Sequence, residues 1–186
     1  MKKLYLSAPL PFQGQKRMFA KEYIKVLQQF PDNTTFVDLF GGSGLLSHIA
    51  KCQKSNATVV YNDFDGYQYR LEHIPQTNEL LTRLRGVVSV PRHKPIQGKE
   101  RGQVLTLIRE HECLYGYVDY ITLSSSLLFS MKYATSYEEL EKDTLYNNIK
   151  ATNYPLCSDY FDGLTITSCD YNEVFNSYKD TPNVVF

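Results

Sequence analysis

The sequence has 186 residues and a mass of 21.5 kDa, which is enough for one sizeable hydrophobic core with room for an inserted subdomain. Hydrophobic residues make up 42% and charged residues 22%, a mixture that excludes a wholly disordered chain. The 20 basic and 20 acidic residues give a formal net charge of zero, which excludes a uniformly basic protein that coats nucleic acid but leaves room for a local basic patch.

The N-terminal segment and the cysteines favour a cytoplasmic protein. The segment MKKLYLSAPLPF is too short and too interrupted by Pro9 and Pro11 for a signal peptide. No apolar run approaches the roughly 20 residues that a membrane span needs, so we expect no membrane partner. The cysteines form no C-x-x-C pair, have no His at ligand spacing, and predict buried reduced thiols and no metal site: Cys52, Cys113, Cys157 and Cys169.

The first part of the chain, residues 1–74, has the pattern of a parallel sheet with helical crossovers. Five elements are predicted in order: a helix over 15–30, a buried strand over 34–40, a tight glycine turn over 41–44, a helix over 45–54 and a strand over 57–61. The first helix rests on apolar residues at helical spacing, Phe19, Tyr23, Leu27 and Phe30. Strand, glycine turn, helix and strand in about 30 residues is typical of the βαβ unit.

Residues 75–160 lack β periodicity and predict an inserted, mainly helical subdomain. Helices are expected over 76–85, twice within 102–133, and after the capping box Ser136-x-x-Glu139, with a loop over 86–102. The serines at 124–126 lack a G-x-S-x-G elbow and are interpreted as a helix surface. The α/β pattern returns over 161–186, with a strand at 164–167, a helix capped by Asp170 and a strand at 183–186.

The glycine turn lies between two acidic residues. Asp38 immediately precedes the turn, and Asp63 follows the second predicted strand, where a carboxylate can accept both hydroxyl hydrogens of a ribose. A dinucleotide site uses G-x-G-x-x-G and faces a pyrophosphate, which the Asp38 carboxylate would repel. An acidic group instead suits the ammonium of S-adenosylmethionine, a nucleoside cofactor without phosphate.

A second short cluster, P-F-Q-G-Q-K at residues 11–16, precedes the first predicted helix. Gly14 allows the backbone to close over a ligand, and Lys16 supplies a cation for a ligand carboxylate. The glycine turn that follows in the sequence strengthens the interpretation of this cluster as part of a ligand site.

In this order, P-F-Q-G-Q-K, D-L-F-G-G-S-G and Y-N-D-F-D resemble the adenine-N6-specific DNA methyltransferases in which the cofactor motif comes first. In that family a target-recognition insertion follows, and then a catalytic D-P-P-Y. The resemblance is good over residues 8–66 and moderate over 160–186. It implies a Rossmann-like S-adenosylmethionine-dependent methyltransferase sheet, incomplete here, and cofactor contacts from Phe12, Gly14, Lys16, Asp38, Phe40, Gly41, Gly44, Asp63, Asp170 and Tyr171.

The sequence departs from the family at the catalytic motif. It contains no Pro-Pro dipeptide, so D-P-P-Y is absent, and no catalytic residue is assigned. In the family this motif would begin a few residues beyond NVVF, and it accepts the N–H bonds of a flipped-out adenine. We therefore expect the chain to be a fragment that is inactive alone, with the missing half either supplied by a second chain or removed by truncation.

The region between residues 83 and 101 is rich in basic side chains and contains one acidic residue, Glu100. Its prolines and glycines predict a basic loop that follows a phosphate backbone, and the family resemblance implies double-stranded DNA as the partner. The DNA-binding residues predicted are Arg83, Arg85, Arg92, Lys94, Lys99 and Arg101. Two alternatives stay open at this point: a nucleotide-dependent oxidoreductase, and a non-catalytic DNA-binding module of methyltransferase fold.

Overall fold

The computed structural model describes residues 3–186; residues 1 and 2, with which the predicted 1–74 segment begins, lie outside the described residues. Four strands are present in this part of the chain: β1 (Thr35–Asp38), β2 (Thr58–Asn62), β3 (Thr165–Thr167) and β4 (Val184–Val185). After a 3-10 helix at Lys16–Phe19, the helices are α1 (Ala20–Leu27), α2 (Leu45–Gln53), α3 (Tyr67–Glu72), α4 (Ile74–Val87), α5 (Gly98–Tyr115), α6 (Tyr120–Leu127), α7 (Tyr137–Lys142) and α8 (Tyr171–Tyr178).

The four strands form one parallel sheet in the order β3-β2-β1-β4. The inner strands β1 and β2 are rich in β-branched and aromatic residues, which suits strands covered on both faces. Their register pairs Asp38 with Tyr61, so the carboxyl ends of β1 and β2 meet at the same edge of the sheet. The fold-class prediction is confirmed: this is a mixed α/β, Rossmann-like fold.

Each face of the sheet carries its own hydrophobic layer, because successive side chains of a strand point to opposite faces. On one face, Phe36 and Val59 pack with Leu45 and Ile49 of α2 and with Leu27 of α1. On the other face, the neighbouring strand residues Val37 and Val60 pack with Val174 of α8. The alternation in β1 and β2 therefore places both faces of the sheet under helices.

The chain forms two compact units. Unit 1 comprises residues up to Glu72 together with Cys157–Phe186 and contains the sheet. Unit 2 comprises His73–Leu156 and contains α4, α5, α6 and α7. Residues 157–160, which the sequence analysis placed in the insertion, pack in unit 1, where the Tyr160 ring stacks on His48 with centroids 4.7 Å apart.

Helix caps in both units follow the sequence. Ser136 accepts a hydrogen bond from the Glu139 backbone N–H at 3.3 Å, and Glu139 accepts one from the Thr135 backbone N–H at 2.7 Å. Asp170 caps α8 by accepting from the Asn172 N–H at 2.9 Å. The predicted Ser136 and Asp170 caps are thus confirmed, although Glu139 bonds to the N–H of Thr135 and not, as in a capping box, to that of Ser136.

The predicted loop over 86–102 is wrong at both ends. Helix α4 continues to Val87, and α5 begins at Gly98, so the loop spans only 88–97. Helical propensity is a weak prior, and burial of Val104, Leu105 and Ile108 of α5 outweighs the cost of Gly98 and Gly102. Only two of the predicted DNA-binding residues, Arg92 and Lys94, therefore lie in this loop.

Several predicted exposures are also corrected by the structure. Ser124 and Ser126 are buried within α6, where their hydroxyls donate to the carbonyls of Tyr120 and Thr122 in the preceding turn. Phe19, which the spacing placed on the apolar stripe of the first helix, lies in the 3-10 helix instead and is 65% exposed. Among the cysteines, Cys157 is buried and Cys52 partly so, whereas Cys113 and Cys169 are exposed.

Two glycines of α5 are expected to respond in opposite ways to alanine. Gly102 is helical, and a Cβ added there meets no heavy atom within 4 Å, so Gly102→Ala should stabilise the protein by about 0.5–1 kcal/mol. Gly116 ends the helix with φ of 64°, so Gly116→Ala should destabilise it by about 1 kcal/mol. Urea unfolding measures the change in unfolding free energy for each variant. Changes of the same sign would contradict the different roles assigned to the two glycines.

Candidate ligand-binding site at the glycine turn

The glycine turn packs on the ring of Tyr61, which projects from β2. A Cβ added at Gly41 would lie 2.3 Å from that ring, and one added at Gly44 would lie 2.5 Å from the ring of Phe161. Phe161 stacks on Tyr61 with centroids 4.8 Å apart. The turn also needs left-handed backbone, since Gly42 has φ of 52° and Gly44 has φ of 67°. Glycine is required at 41 and 44 chiefly by this aromatic packing, which the sequence did not reveal.

The Tyr61 hydroxyl ties the turn to the end of β2. Its oxygen lies 2.7 Å from the Gly42 carbonyl oxygen and 2.8 Å from Oδ1 of Asp63. The single hydroxyl proton is shared between these two acceptors, so the hydroxyl holds the Gly42 carbonyl and the Asp63 carboxylate close together. Burial, together with the Asp63 carboxylate, raises the pKa of Tyr61 far above its usual range, so the hydroxyl stays a donor.

Asp63, predicted to bind a ribose, is held by the protein itself. Besides Tyr61, its Oδ1 accepts from the Tyr67 N–H at 2.6 Å, and its Oδ2 accepts from the Gln68 N–H at 2.8 Å. These two amides open α3, a helix that the sequence analysis did not predict. Asp63 is 5% exposed, and its carboxylate fixes the loop between β2 and α3.

Asn62 joins the carboxyl ends of three strands. Its side-chain nitrogen donates to the carbonyls of Leu39, after β1, and Cys169, after β3, at 3.1 and 2.9 Å. Its side-chain oxygen accepts from the Thr167 hydroxyl and the Cys169 N–H, both at 3.1 Å. Asn62 is 1% exposed, so these bonds lie in a poorly solvated setting where losing one is costly.

A cavity of about 290 Å³ opens at these strand ends, and we refer to it as the strand-end cavity. Three exposed aromatic side chains surround it: Phe40, Phe64 and Tyr171 are 67%, 72% and 44% exposed. The Phe40 and Tyr171 rings lie 5.1 Å apart. Exposed apolar rings grouped around one cavity indicate a site for a planar apolar ligand group. The remaining lining includes Leu39, Gly41, Gly42, Asn62, Asp65 and Asp170.

A second cavity of about 220 Å³, the turn cavity, adjoins the first. Its lining includes the predicted residues Phe12, Gly14 and Lys16 together with Gln13, Ser43 and Leu45. Both cavities are also lined by Phe40, Gly41, Gly42 and Asp65, so they form one cleft along the glycine turn. Asp65 is exposed and is the carboxylate common to both cavities.

Lys16 and Asp38 lie on the α1 side of the turn. The Lys16 ammonium donates to the Phe40 carbonyl at 3.0 Å and lies 4.0 Å from Oδ1 of Asp38, whose Oδ2 accepts from the Ser47 hydroxyl at 2.8 Å. Asp38 lines a mainly apolar groove of about 470 Å³ that also includes Tyr23 and shares Lys16 and Phe40 with the cleft. Burial, with the Asp38 carboxylate nearby, raises the pKa of Tyr23 to about 12.

The structure therefore brings most predicted cofactor residues to one cleft. Phe12, Gly14, Lys16, Phe40, Gly41, Asp170 and Tyr171 line it, whereas Asp38, Gly44 and Asp63 support its walls. Sequence reasoning missed Phe64 and Asp65. Both directly follow Asp63 in Y-N-D-F-D. The second acidic residue of that motif, Asp65, was the sequence signal that could have identified them.

The six predicted DNA-binding residues differ in their partners. Arg83 pairs with Glu110 at 2.7 Å, Arg85 bonds to Asn153 at 2.5 Å, and Arg101 donates to the Glu141 carbonyl. The other three, Arg92, Lys94 and Lys99, are exposed and form no ion pair within residues 3–186.

Membrane-spanning and metal-binding features do not occur in the described residues. In this part of the chain, no helix has the length and apolar character needed to cross a membrane. Residues 3–186 also contain no group of three or more His, Cys, Asp and Glu side chains able to hold a metal ion.

Comparison with known proteins gives a likeness over nearly the whole chain. The chain is 38% identical over 192 aligned positions to a Haemophilus influenzae protein described as "Putative methyltransferase". The alignment covers 99% of this chain but 63% of the relative, so the chain spans less than two thirds of that protein's length. No family model matches the sequence, and no solved structure matches it. The parallel sheet and this likeness are together consistent with a Rossmann-like methyltransferase fold.

Removing the Tyr61 hydroxyl should loosen the turn without altering its packing. Tyr61→Phe keeps the ring beneath Gly41 but deprives the Gly42 carbonyl and Asp63 of a donor, so we expect a loss of about 1–2 kcal/mol in unfolding free energy. Hydrogen exchange of the Tyr67 amide should also accelerate. Tyr178→Phe is the control, because the Tyr178 hydroxyl makes no hydrogen bond within residues 3–186; a matching loss there would refute the special role of Tyr61.

Proposed function

We propose that the cleft along the glycine turn binds S-adenosylmethionine and that the protein transfers its methyl group. The observation that carries this proposal is the strand-end cavity, with three exposed aromatic rings and the Asp65 carboxylate at the carboxyl ends of parallel strands. Ligands of open α/β sheets bind at such ends. The likeness to the Haemophilus influenzae protein supports the same class of reaction.

The charges along the cleft favour a phosphate-free ligand. Lys16 is the basic residue among those lining the two cavities, and Asp65 and Asp170 line the strand-end cavity. A pyrophosphate would meet these carboxylates, whereas the ammonium and sulfonium of S-adenosylmethionine are attracted to them. The cleft also lacks the G-x-G-x-x-G spacing of a dinucleotide site, which disfavours the oxidoreductase alternative.

The parts of the cofactor can be assigned to the two cavities by chemistry. The adenine ring suits the aromatic walls Phe64 and Tyr171 of the strand-end cavity. The amino-acid portion suits the turn cavity, where Lys16 can bind its carboxylate. Asp65, shared by both cavities, is positioned between them and takes the ribose hydroxyls. Asp63, the ribose ligand expected from the sequence, instead orders the loop that presents Asp65.

The two carboxylates can be separated by calorimetric titration with S-adenosylmethionine. Asp65→Asn should weaken binding about tenfold or more, because a charge-assisted hydrogen bond to the ribose is lost, with little change in thermal stability. Asp63→Asn should lower the melting temperature, because three protein donors lose their charged acceptor. Asp180→Asn is the control and should match wild type, because Asp180 is exposed and does not line either cavity.

Two results would count against this assignment. If Asp63→Asn, and not Asp65→Asn, weakens S-adenosylmethionine binding while the melting temperature stays unchanged, then Asp63 is the residue that binds the ribose. If NAD saturates the protein and S-adenosylmethionine does not, the cofactor proposal is wrong.

The acceptor we propose is the N6 amino group of adenine in double-stranded DNA. The support is the order of three motifs, residues 11–16, 38–44 and 61–65, which resembles the adenine-N6 DNA methyltransferases. The exocyclic amine is a weak nucleophile, so acceptors must take its N–H bonds before it attacks the methyl carbon. The 186 residues contain no D-P-P-Y, and we propose that a segment outside them supplies those acceptors. DNA binding by this chain without any binding of S-adenosylmethionine would instead favour the non-catalytic DNA-binding module.

The exposed and the paired cations predict different salt dependences of DNA binding. Replacing Arg92, Lys94 and Lys99 by Gln should reduce the slope of log K against log salt by about 2–3, roughly one for each phosphate that no longer meets a cation. The matched triple variant at Arg83, Arg85 and Arg101 should change the slope by less than about one, because these groups already have protein partners. Filter binding to a duplex at several salt concentrations tests this, and identical slopes for both variants would contradict it.

A further inference from the structure

We propose that unit 2 contains a second ligand site, a cavity that accepts an unstacked base of DNA. The cavity has a volume of about 400 Å³, and its lining residues all belong to unit 2. Its lining includes His93, Phe129, Met131, Lys132, Tyr146 and Asn148. The inference rests on DNA being the partner, but it concerns residues that have no part in the cofactor cleft.

Aromatic and apolar side chains form one wall of this base cavity. Phe129 is 63% exposed and Met131 is 89% exposed, although both side chains are hydrophobic. The Phe129 ring lies 5.9 Å from the ring of Tyr146 at an angle of 58°. Exposed rings beside a cavity are the platforms on which nucleic-acid bases stack, and every base offers a flat face to them.

The polar side of the cavity has a fixed pattern of donors and acceptors. The Asn148 side-chain nitrogen donates to the Leu128 carbonyl at 2.9 Å, which sets the orientation of the amide. Its oxygen then lies 2.9 Å from Nδ1 of His93, so Nδ1 must carry the proton. In the neutral ring, Nε2 of His93 is consequently an acceptor. A base edge carries amino donors that such an acceptor can recognise.

The backbone of the cavity is held in unusual conformations. His93 has φ of 64° and Met131 has φ of 71°, and both residues line the cavity. Non-glycine residues in this region cost about 1 kcal/mol or more and persist where surrounding interactions fix them. The His93 N–H donates to the Asn147 carbonyl at 2.8 Å, which is one such interaction. This bond helps to fix the position of His93 at the cavity.

The charges next to the cavity fit a nucleotide rather than an apolar peptide. Arg92 and Lys94 flank His93 in the 88–97 loop, and both are exposed. Lys132 lines the cavity and is paired with Asp143. A stacked base in the cavity would leave its phosphate near Arg92 and Lys94, whereas a hydrophobic protein segment would leave these cations without a partner.

Phe129 gives a direct test, since truncating a mostly exposed ring should leave the fold intact. Binding of the purified 186-residue chain is measured by fluorescence anisotropy with a single strand of about 20 nucleotides and with an abasic strand of equal length and charge. Wild type should prefer the base-containing strand about tenfold, and Phe129→Ala should lose that preference. Leu114→Ala is the control, because Leu114 is 67% exposed in unit 2 outside the cavity, and it should keep the preference.

A conservative variant adds an optical readout. The sequence contains no Trp, so Phe129→Trp introduces a single tryptophan at the proposed stacking position. It should retain the preference for bases, and its emission should be quenched by the base-containing strand and not by the abasic one.

The failure of this inference can be told apart from failure of the cofactor proposal. Equal affinity of wild type for both strands, no binding to either, or an undiminished preference in Phe129→Ala would overturn the base cavity. S-adenosylmethionine affinity is measured on the same preparations and should not differ between wild type and Phe129→Ala. Loss of S-adenosylmethionine binding by wild type would overturn the cofactor assignment while leaving a measured base preference standing.

Discussion

The hydrogen bonds of one buried amide, Asn62, hold the site edge of the sheet together. The amide bonds to main-chain groups after β1 and after β3 and lies at the end of β2, so three neighbouring strands end in fixed relation to each other. A buried amide that uses both its donor and its acceptor side in this way is costly to disturb. The glycine turn and the loop that carries Phe64 and Asp65 both start from these strand ends.

The glycine turn follows from that constraint. Because β1 and β2 end in register, Tyr61 lies beneath the turn that leaves β1, and only residues without a Cβ fit above its ring at position 41. The same tyrosine bonds to Asp63, which in turn opens α3. Asp63 is thereby turned inward, whereas Asp65, two residues later, lines the cleft. The hydrogen bond from Tyr61 thus determines that Asp65, and not Asp63, is available to contact a ligand.

The sequence predicted what local patterns encode and missed what depends on packing between segments. The strands, the glycine turn, the Ser136 cap and the Asp170 cap were predicted because each has a short-range signal. Helix α3 was missed because six residues are too few for a periodic signal, and Asp63 was therefore assigned to a ligand rather than to a helix start. The basic segment was predicted as loop because its glycines and prolines were weighed without the buried side chains of α5. Packing on Tyr61 has no sequence signature at all.

A formal charge of zero would also limit how strongly this chain binds the DNA partner proposed for it. Long-range attraction scales with net charge, so little of it is available, and half of the six basic residues predicted for DNA are engaged with protein groups. Phosphate binding by Arg92, Lys94 and Lys99 would supply only a short electrostatic anchor. In the proposed complex, stacking on the exposed aromatic wall beside His93 would add to this anchor, and salt screens stacking far less than an ionic interaction with phosphate.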